Sequence, residues 1–221
     1  DHTNNLILSP ITDFDWSPTD PEVIVFGAVH NAFALHLDVQ WHTYGGGDGY
    51  NVAVDDNDPY HVIGTAQYGH PNVSTDQTLQ LNYTVNGITE SGYGFSADKP
   101  VAFDPSDGDM VYVLRTNVFK STDGGLNYTQ VSSFAQDGGG GFLLVHPTQP
   151  QNVYTAYHRS QDGGASWSSL NPPVRPIRCL TVDPADPDRI WSVGGSGHAY
   201  VHHSSDGGAT WSELNTIDLP A

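Results

Sequence analysis

The chain is short of the residues that staple or coil most proteins. A single cysteine, Cys179, stands among 221 residues, so no disulfide closes within the chain. It lies in the apolar run Arg178-Cys-Leu-Thr-Val182, where a small buried hydrophobe is expected. No apolar run approaches the roughly 20 residues that cross a bilayer as a helix, which excludes insertion by that route. Glu occurs only at Glu22, Glu90 and Glu213, while 24 Gly and 15 Pro punctuate the chain too densely for a helix of any length. Cations are scarce as well: 7 Lys and Arg face 25 Asp and Glu, for a formal charge of −18. Such a surface repels phosphate backbones and anionic membranes, so nucleic acid is excluded as a partner.

What the chain has instead is a repeated word. Ser121 to Tyr128 reads STDGGLNY, Ser160 to Trp167 reads SQDGGASW, and Ser204 to Trp211 reads SSDGGATW. The shared positions are Ser121, Asp123, Gly125 and Tyr128; Ser160, Asp162, Gly164 and Trp167; and Ser204, Asp206, Gly208 and Trp211. Asp-Gly supplies the positive φ angles of a tight hairpin, and the carboxylate can accept N–H groups of its own turn. The aromatic then opens the next strand. A second word, apolar-x-D-P-x-D-P, runs ahead of each copy, at Trp16–Pro21, Val54–Pro59, Phe103–Asp107, Val145–Pro150 and Val182–Pro187. Stepping back from the clear eight-residue copies predicts worn ones near Asp38 with Trp41 and near Asp76. The repeat of ~40–45 residues made of short strands is the signature of four-stranded propeller blades.

The eight-residue word resembles the Asp-box, S-x-D-x-G-x-x-W, of the BNR repeat proteins, which include sialidases, sortilin-type receptors, xyloglucan hydrolases and many secreted propellers. The run Gly45-Gly-Gly-Asp-Gly-Tyr-Asn-Val-Ala-Val-Asp55, followed by Gln67-Tyr-Gly69, is similar to a stretch of the secreted members. The resemblance implies an all-β propeller in which each box joins the third and fourth strands of a blade, and an extracellular or cell-surface location. A single domain over 1–221 is expected, with repeats at about 6–44, 45–84, 95–133, 139–171 and 174–216. In the last repeat the strands are placed at Cys179–Val182, Arg189–Val193, Ala199–His203 and Thr210–Leu214. The start at Asp1, without a signal pattern, suits a processed secreted protein or an excised fragment equally. Both chain ends read as blade-to-blade linkers, which points to part of a larger propeller or to a subunit completed by neighbours.

In this scheme both turn words gather at one end of the blades and the irregular loops at the other. Binding usually lives in such loops. Ligand candidates there are Trp41, Tyr44, Asp48, Tyr50, Tyr68, His70, Tyr93, Arg115, Tyr157, His158, Arg178 and His198. A glycoside hydrolase would need two facing carboxylates, for which Asp48, Asp137 and Glu90 are the candidates. A sialidase would further need an arginine cluster. The five Arg (115, 159, 175, 178, 189) lack that family's F/Y-R-I-P word, of which Val174-Arg-Pro-Ile-Arg178 is a superficial echo. The Gly-rich runs at 45–49 and 138–141 open no helix and so are not phosphate cradles. His202 and His203 are adjacent on a strand and point apart, which disfavours joint metal ligation. No metal or cofactor site is assigned, but Asp55–Asp58 and Asp104–Asp109 offer the oxygen donors calcium prefers. Trp16, Trp191 and the box aromatics are expected in the core. Asn72, Asn82 and Asn127 match the N-glycosylation acceptor pattern.

These observations favour a non-catalytic extracellular binding or assembly module whose partner is carbohydrate, an extracellular protein or, by self-association, the chain itself. The alternatives are a glycoside hydrolase or its non-catalytic half, and a structural subunit of a surface array or fibre.

Overall fold

A computed structural model describes residues 10–30, 32–37, 40–44, 47–66, 70–75, 85–90, 100–134, 141–196 and 198–214. They form antiparallel sheets, taken up one after another along the chain, and no helix. The first blade comprises β1 (Ile11–Trp16), β2 (Ile24–Ala28), β3 (Ala32–Leu37) and β4 (Gln40–Tyr44). Three strands of the second are described: β5 (Gly49–Val54), β6 (His61–Ala66) and β7 (Pro71–Thr75). The third has β8 (Val101–Asp104), β9 (Asp107–Leu114), β10 (Val118–Ser121) and β11 (Tyr128–Gln130). The fourth has β12 (Leu143–Val145), β13 (Val153–Thr155), β14 (His158–Ser160) and β15 (Ser168–Ser169). The fifth has β16 (Ile177–Asp183), β17 (Asp186–Gly194), β18 (Tyr200–Ser204) and β19 (Ser212–Glu213). Within each sheet the strands follow chain order, so every blade is a meander joined by short turns.

Blades stack through the apolar faces of these short, β-branched-rich strands. Val52 and Val54 of the second blade pack on Val23, Val25, Phe33 and Leu35 of the first. Val101 and Phe103 of the third pack on Ala53, Ile63 and Val73 of the second. Leu143 and Val145 repeat the arrangement against Tyr112, Leu114 and Val118, and Leu180 and Val182 against Tyr154 and Leu170. Each such side chain contributes about 1.5–3 kcal/mol on burial, so the core is a series of junctions rather than one central mass. Fit at the junctions is close: a Cβ on Gly64 would stand 2.5 Å from the Phe33 ring.

Three expectations fail at the ends of this stack. Trp16 is 51% exposed, Trp191 is only half-buried, and Cys179 is exposed. Each sits on a strand as expected, but on the outward face of the first or last blade, where no further blade is present among the described residues. Burial in a propeller depends on the next blade as much as on the strand's own pattern.

Candidate functional site

The end that carries the turn words is built by hydrogen bonds within each word. The three copies agree nearly atom for atom. The Ser hydroxyl donates to Asp Oδ1 at 2.7 Å in Ser121–Asp123 and 2.8 Å in Ser160–Asp162 and Ser204–Asp206. The same hydroxyl oxygen accepts the second Gly N–H, at 2.9 Å from Gly125, 2.8 Å from Gly164 and 2.9 Å from Gly208. The carboxylate accepts the N–H of the seventh residue, and that residue's side chain, Asn127, Ser166 or Thr210, donates to Asp Oδ2 at 2.6 Å. Both glycines of every copy have positive φ, which explains their presence. These bonds hold the Asp206 carboxyl down at about 2, with the Thr210 hydroxyl the largest cause, and lower those of Asp123 and Asp162 for the same reason. The seventh position was legible as a rule, since all three copies place a hydrogen-bonding side chain there.

The D-P words are tandem Asx-type turns. Asp55, Asp104 and Asp183 accept the N–H of the residue two further on, as do Asp58, Asp107 and Asp186 at the second Asp of their words. In the fourth blade His146 takes the place of the first Asp, its Nδ1 accepting the N–H groups of Thr148 and Gln149. Their carboxylates are thus engaged by backbone. Among the described residues no group of three or more His, Cys, Asp or Glu is placed to hold a metal ion.

Both turn families also reach across to the next blade. His61 Nε2 donates to the Gly124 carbonyl at 2.9 Å. Lys120 Nζ and the Tyr112 hydroxyl both donate to the Gly163 carbonyl, at 3.0 and 3.2 Å. Arg159 pairs with Asp188 at 2.6 Å and lies over the Tyr154 ring. Burial, with the Asp104 charge second, pushes the Tyr112 hydroxyl up to about 12, so it remains a donor. These bonds give this end its structural role.

The loop-rich end differs from expectation at several candidates. Tyr50 is buried, and its hydroxyl donates to Asp48, whose other oxygen accepts the His30 N–H at 2.8 Å. Arg115 is buried too. Tyr157 lies beneath the Arg175 guanidinium, 3.9 Å from its ring centroid, and its hydroxyl accepts the Ile177 N–H. These aromatics are thereby withdrawn from sugar stacking. Glu90 accepts the N–H groups of Thr116 and Asn117 and the Asn117 amide, at 3.0, 3.2 and 2.7 Å. It braces the β9–β10 connection. Asp48 and Glu90 stand in different connections, and each braces another loop, the one at His30 and the one at Thr116 and Asn117. Trp41 is not at this end: it opens β4 beside the turn, in register with His36, and is exposed. Tyr44 closes β4 toward the loops. Arg178 and His198 are exposed, as is His70, whose ring is partly desolvated and faces Arg115; both effects lower its pKa. Tyr68, Tyr93 and Asp137 lie outside the described residues, as do Asp38, Asp76 and Asn82. Of the other acceptor asparagines, Asn72 is buried and Asn127 is held in its turn by Asp123.

The residues brought together that sequence reasoning missed lie between the third and fourth blades, on the outer wall. A furrow of about 900 Å³ is lined by Gln130, Val131, Ser132, Ser133, Phe134, His158, Gly164, Ala165, Ser166, Trp167 and Ser169. Phe134 stacks on His158 with centroids 3.9 Å apart and planes 8° from parallel, and meets Trp167 edge-on at 5.3 Å. The Trp167 indole N–H is anchored to the carbonyls of Val131 and Gly164. No Asp, Glu, Lys or Arg lines the furrow, although the molecule carries a formal charge of −18. The serine hydroxyls retain acceptor lone pairs beyond the bonds they donate. His158 was a ligand candidate by sequence and Trp167 the aromatic of a turn word, but Phe134 opened a segment read as a loop, and nothing local marked that it meets both rings.

No protein-family model and no curated protein matches the chain. Its likeness is to solved structures. The GH74 enzyme of Niastella koreensis superposes with a TM-score of 0.69 at 17% identity, over 92% of this chain and 38% of that one. The GH74 xyloglucanase of Xanthomonas campestris gives 0.65 at 19%, over 92% and 32%. YCF48 from Cyanidioschyzon merolae gives 0.55 at 12%, over 94% and 85%. The chain thus spans about a third of the length of the GH74 enzymes it resembles. At these identities what is shared is architecture, and the described residues of this chain form five blades of an all-β propeller.

Proposed function

We propose that this chain is a non-catalytic carbohydrate-binding module of the Asp-box kind, acting outside the cell or at its surface, with a neutral glycan lying in the furrow between the third and fourth blades. The observation that carries this reading is the furrow's lining: aromatic rings, serine hydroxyls and one amide, free of formal charge on a strongly acidic protein. Sugar rings present apolar faces to aromatics and hydroxyls to polar rims, and a volume near 900 Å³ falls in the range of ligand clefts. The fold supports a polysaccharide context, because one structural neighbour is named a xyloglucanase. Titration calorimetry with xyloglucan oligosaccharides and a panel of other neutral and acidic glycans tests it. Binding of a neutral member, weakened about tenfold or more in Phe134→Ala, is expected, about 1.4 kcal/mol. Binding of acidic glycans only, or affinity unchanged in Phe134→Ala, overturns it.

The hydrolase alternative draws on the same neighbours. Against it stands the use of Asp48 and Glu90 as hydrogen-bond acceptors that brace neighbouring loops. Release of reducing ends from xyloglucan, lost in Asp48→Asn, would establish it in place of the binding reading.

A further inference from the structure

The large apolar side chains left exposed among the described residues concentrate at the two ends of the stack. Ile11, Phe14, Trp16 and Trp41 belong to the first blade, and Leu214 ends the fifth; Leu126 and Tyr200, which shares its face with the buried His202, are the exceptions. Their register shows what these positions do elsewhere. Aligned on the D-P turn, Phe14 and Trp16 occupy the places of Leu143 and Val145, which the fourth blade buries against the third. Phe14 and Trp16 are 67% and 51% exposed. At the other end Trp191 pairs with His203, as Tyr112 pairs with Lys120 and Tyr154 with Arg159. Both tyrosines are covered by the following blade, whereas Trp191 is only half-buried.

A hydrogen bond recurs with the same logic. The indole N–H of Trp167 donates to the Val131 carbonyl, and that of Trp211 to the Leu170 carbonyl, each on the preceding blade. Trp41 holds the corresponding place in the first blade: its partner His36 follows Leu35, which faces Val25 as His203 faces Trp191. Leu214 corresponds to Val131 and Leu170, since all three donate their N–H back to the strand before (Val201, Val118 and Tyr157). Among the described residues one uncovered face thus presents the donor of this junction and the other presents its acceptor. Two copies of any isologous patch would match like with like, but here the complementary halves sit on opposite ends of one chain.

We propose that the first-blade face of one copy docks on the fifth-blade face of a second copy, head to tail, reproducing between molecules the junction seen between blades. Trp16 and Phe14 then cover the Trp191–His203 pair, and the Trp41 indole meets the Leu214 carbonyl. The interface is independent of the furrow, which lies on the outer wall.

Light scattering across a dilution series of the full chain tests it. The expected mass is two or more times that of one 23.8 kDa chain, rising with concentration. Trp16→Arg and Trp191→Arg, both at uncovered positions, each return the protein to single-chain mass with unchanged circular dichroism. Mixed in equal amounts, they form a one-to-one pair and stop there, because one retains the intact first face and the other the intact last face. Phe14→Arg serves in place of Trp16→Arg if that variant misfolds. A wild-type mass that stays at one chain up to high concentration overturns the proposal, as does association that persists in either single variant.

Discussion

The two ends of this propeller are made from the same strands and behave as different materials. At the turn-rich end three copies of an eight-residue word repeat their bonds to within about a tenth of an ångström, and each copy is tied to its neighbour by donors such as His61, Lys120 and Tyr112. At the loop-rich end no hydrogen-bond pattern of that kind repeats among the described residues. Asp48 secures one loop, Glu90 another, and Arg175 lies on Tyr157 at a third. Repetition marks what the scaffold requires of every blade, and its absence marks where blades are free to differ.

Substitutions at the two ends should therefore have unequal costs. The largest effect is expected for Gly208→Ala. That residue has φ 88°, and a Cβ there would press into Leu170 of the preceding blade. Left-handed backbone strain of about 1–2 kcal/mol adds to overpacking of about 1–3 kcal/mol. A urea titration should show a loss of about 2–4 kcal/mol, and a loss below 0.5 would erase the distinction between the ends.

Acid should reach the same end next. The Asp206 carboxyl is held at about 2 against an ordinary value near 3.8, and those of Asp123 and Asp162 are lowered likewise. A depressed carboxyl stabilises the fold fully above its unfolded value, and that contribution fades as the pH falls through the folded one. The midpoint of thermal unfolding should therefore hold above pH 4 and drop between about pH 4 and 2. Asp206→Asn should blunt the drop; an unchanged profile in that variant would remove the turn from the explanation.

The smallest effect belongs to the loops. His70 is exposed and faces Arg115, so His70→Ala removes no buried support and should shift stability by less than about 0.5 kcal/mol. A loss above 1 kcal/mol would show that the loop-rich end shares the scaffold's burden.

How much was legible follows from the range of each interaction. The spacing of Ser204, Asp206, Gly208 and Trp211 contains nearly the whole turn, because its bonds close within eight residues. His146 was readable in the same way, standing where other repeats carry Asp and accepting the same N–H groups. Trp41 was read both with a worn turn word at Asp38 and with the loop-face candidates, and the register of β3 and β4 puts it beside the turn. Tyr50 and Tyr157 resembled exposed aromatics on the loop-rich face, but Asp48, two residues before Tyr50, takes its hydroxyl, and Arg175 lies over Tyr157 from a separate loop.

The sequence by itself determined the all-β class, the meander of each blade and the chemistry of its turns, since strand alternation and turn bonds act over a few residues. Only the tertiary structure decided which of those strands are covered. It buried Val145 and left Trp16 bare at the same register position, and it set Phe134 against His158 and Trp167. Contacts of that kind join residues from successive blades, and a side chain's own neighbourhood in the chain carries no record of what will lie across the junction.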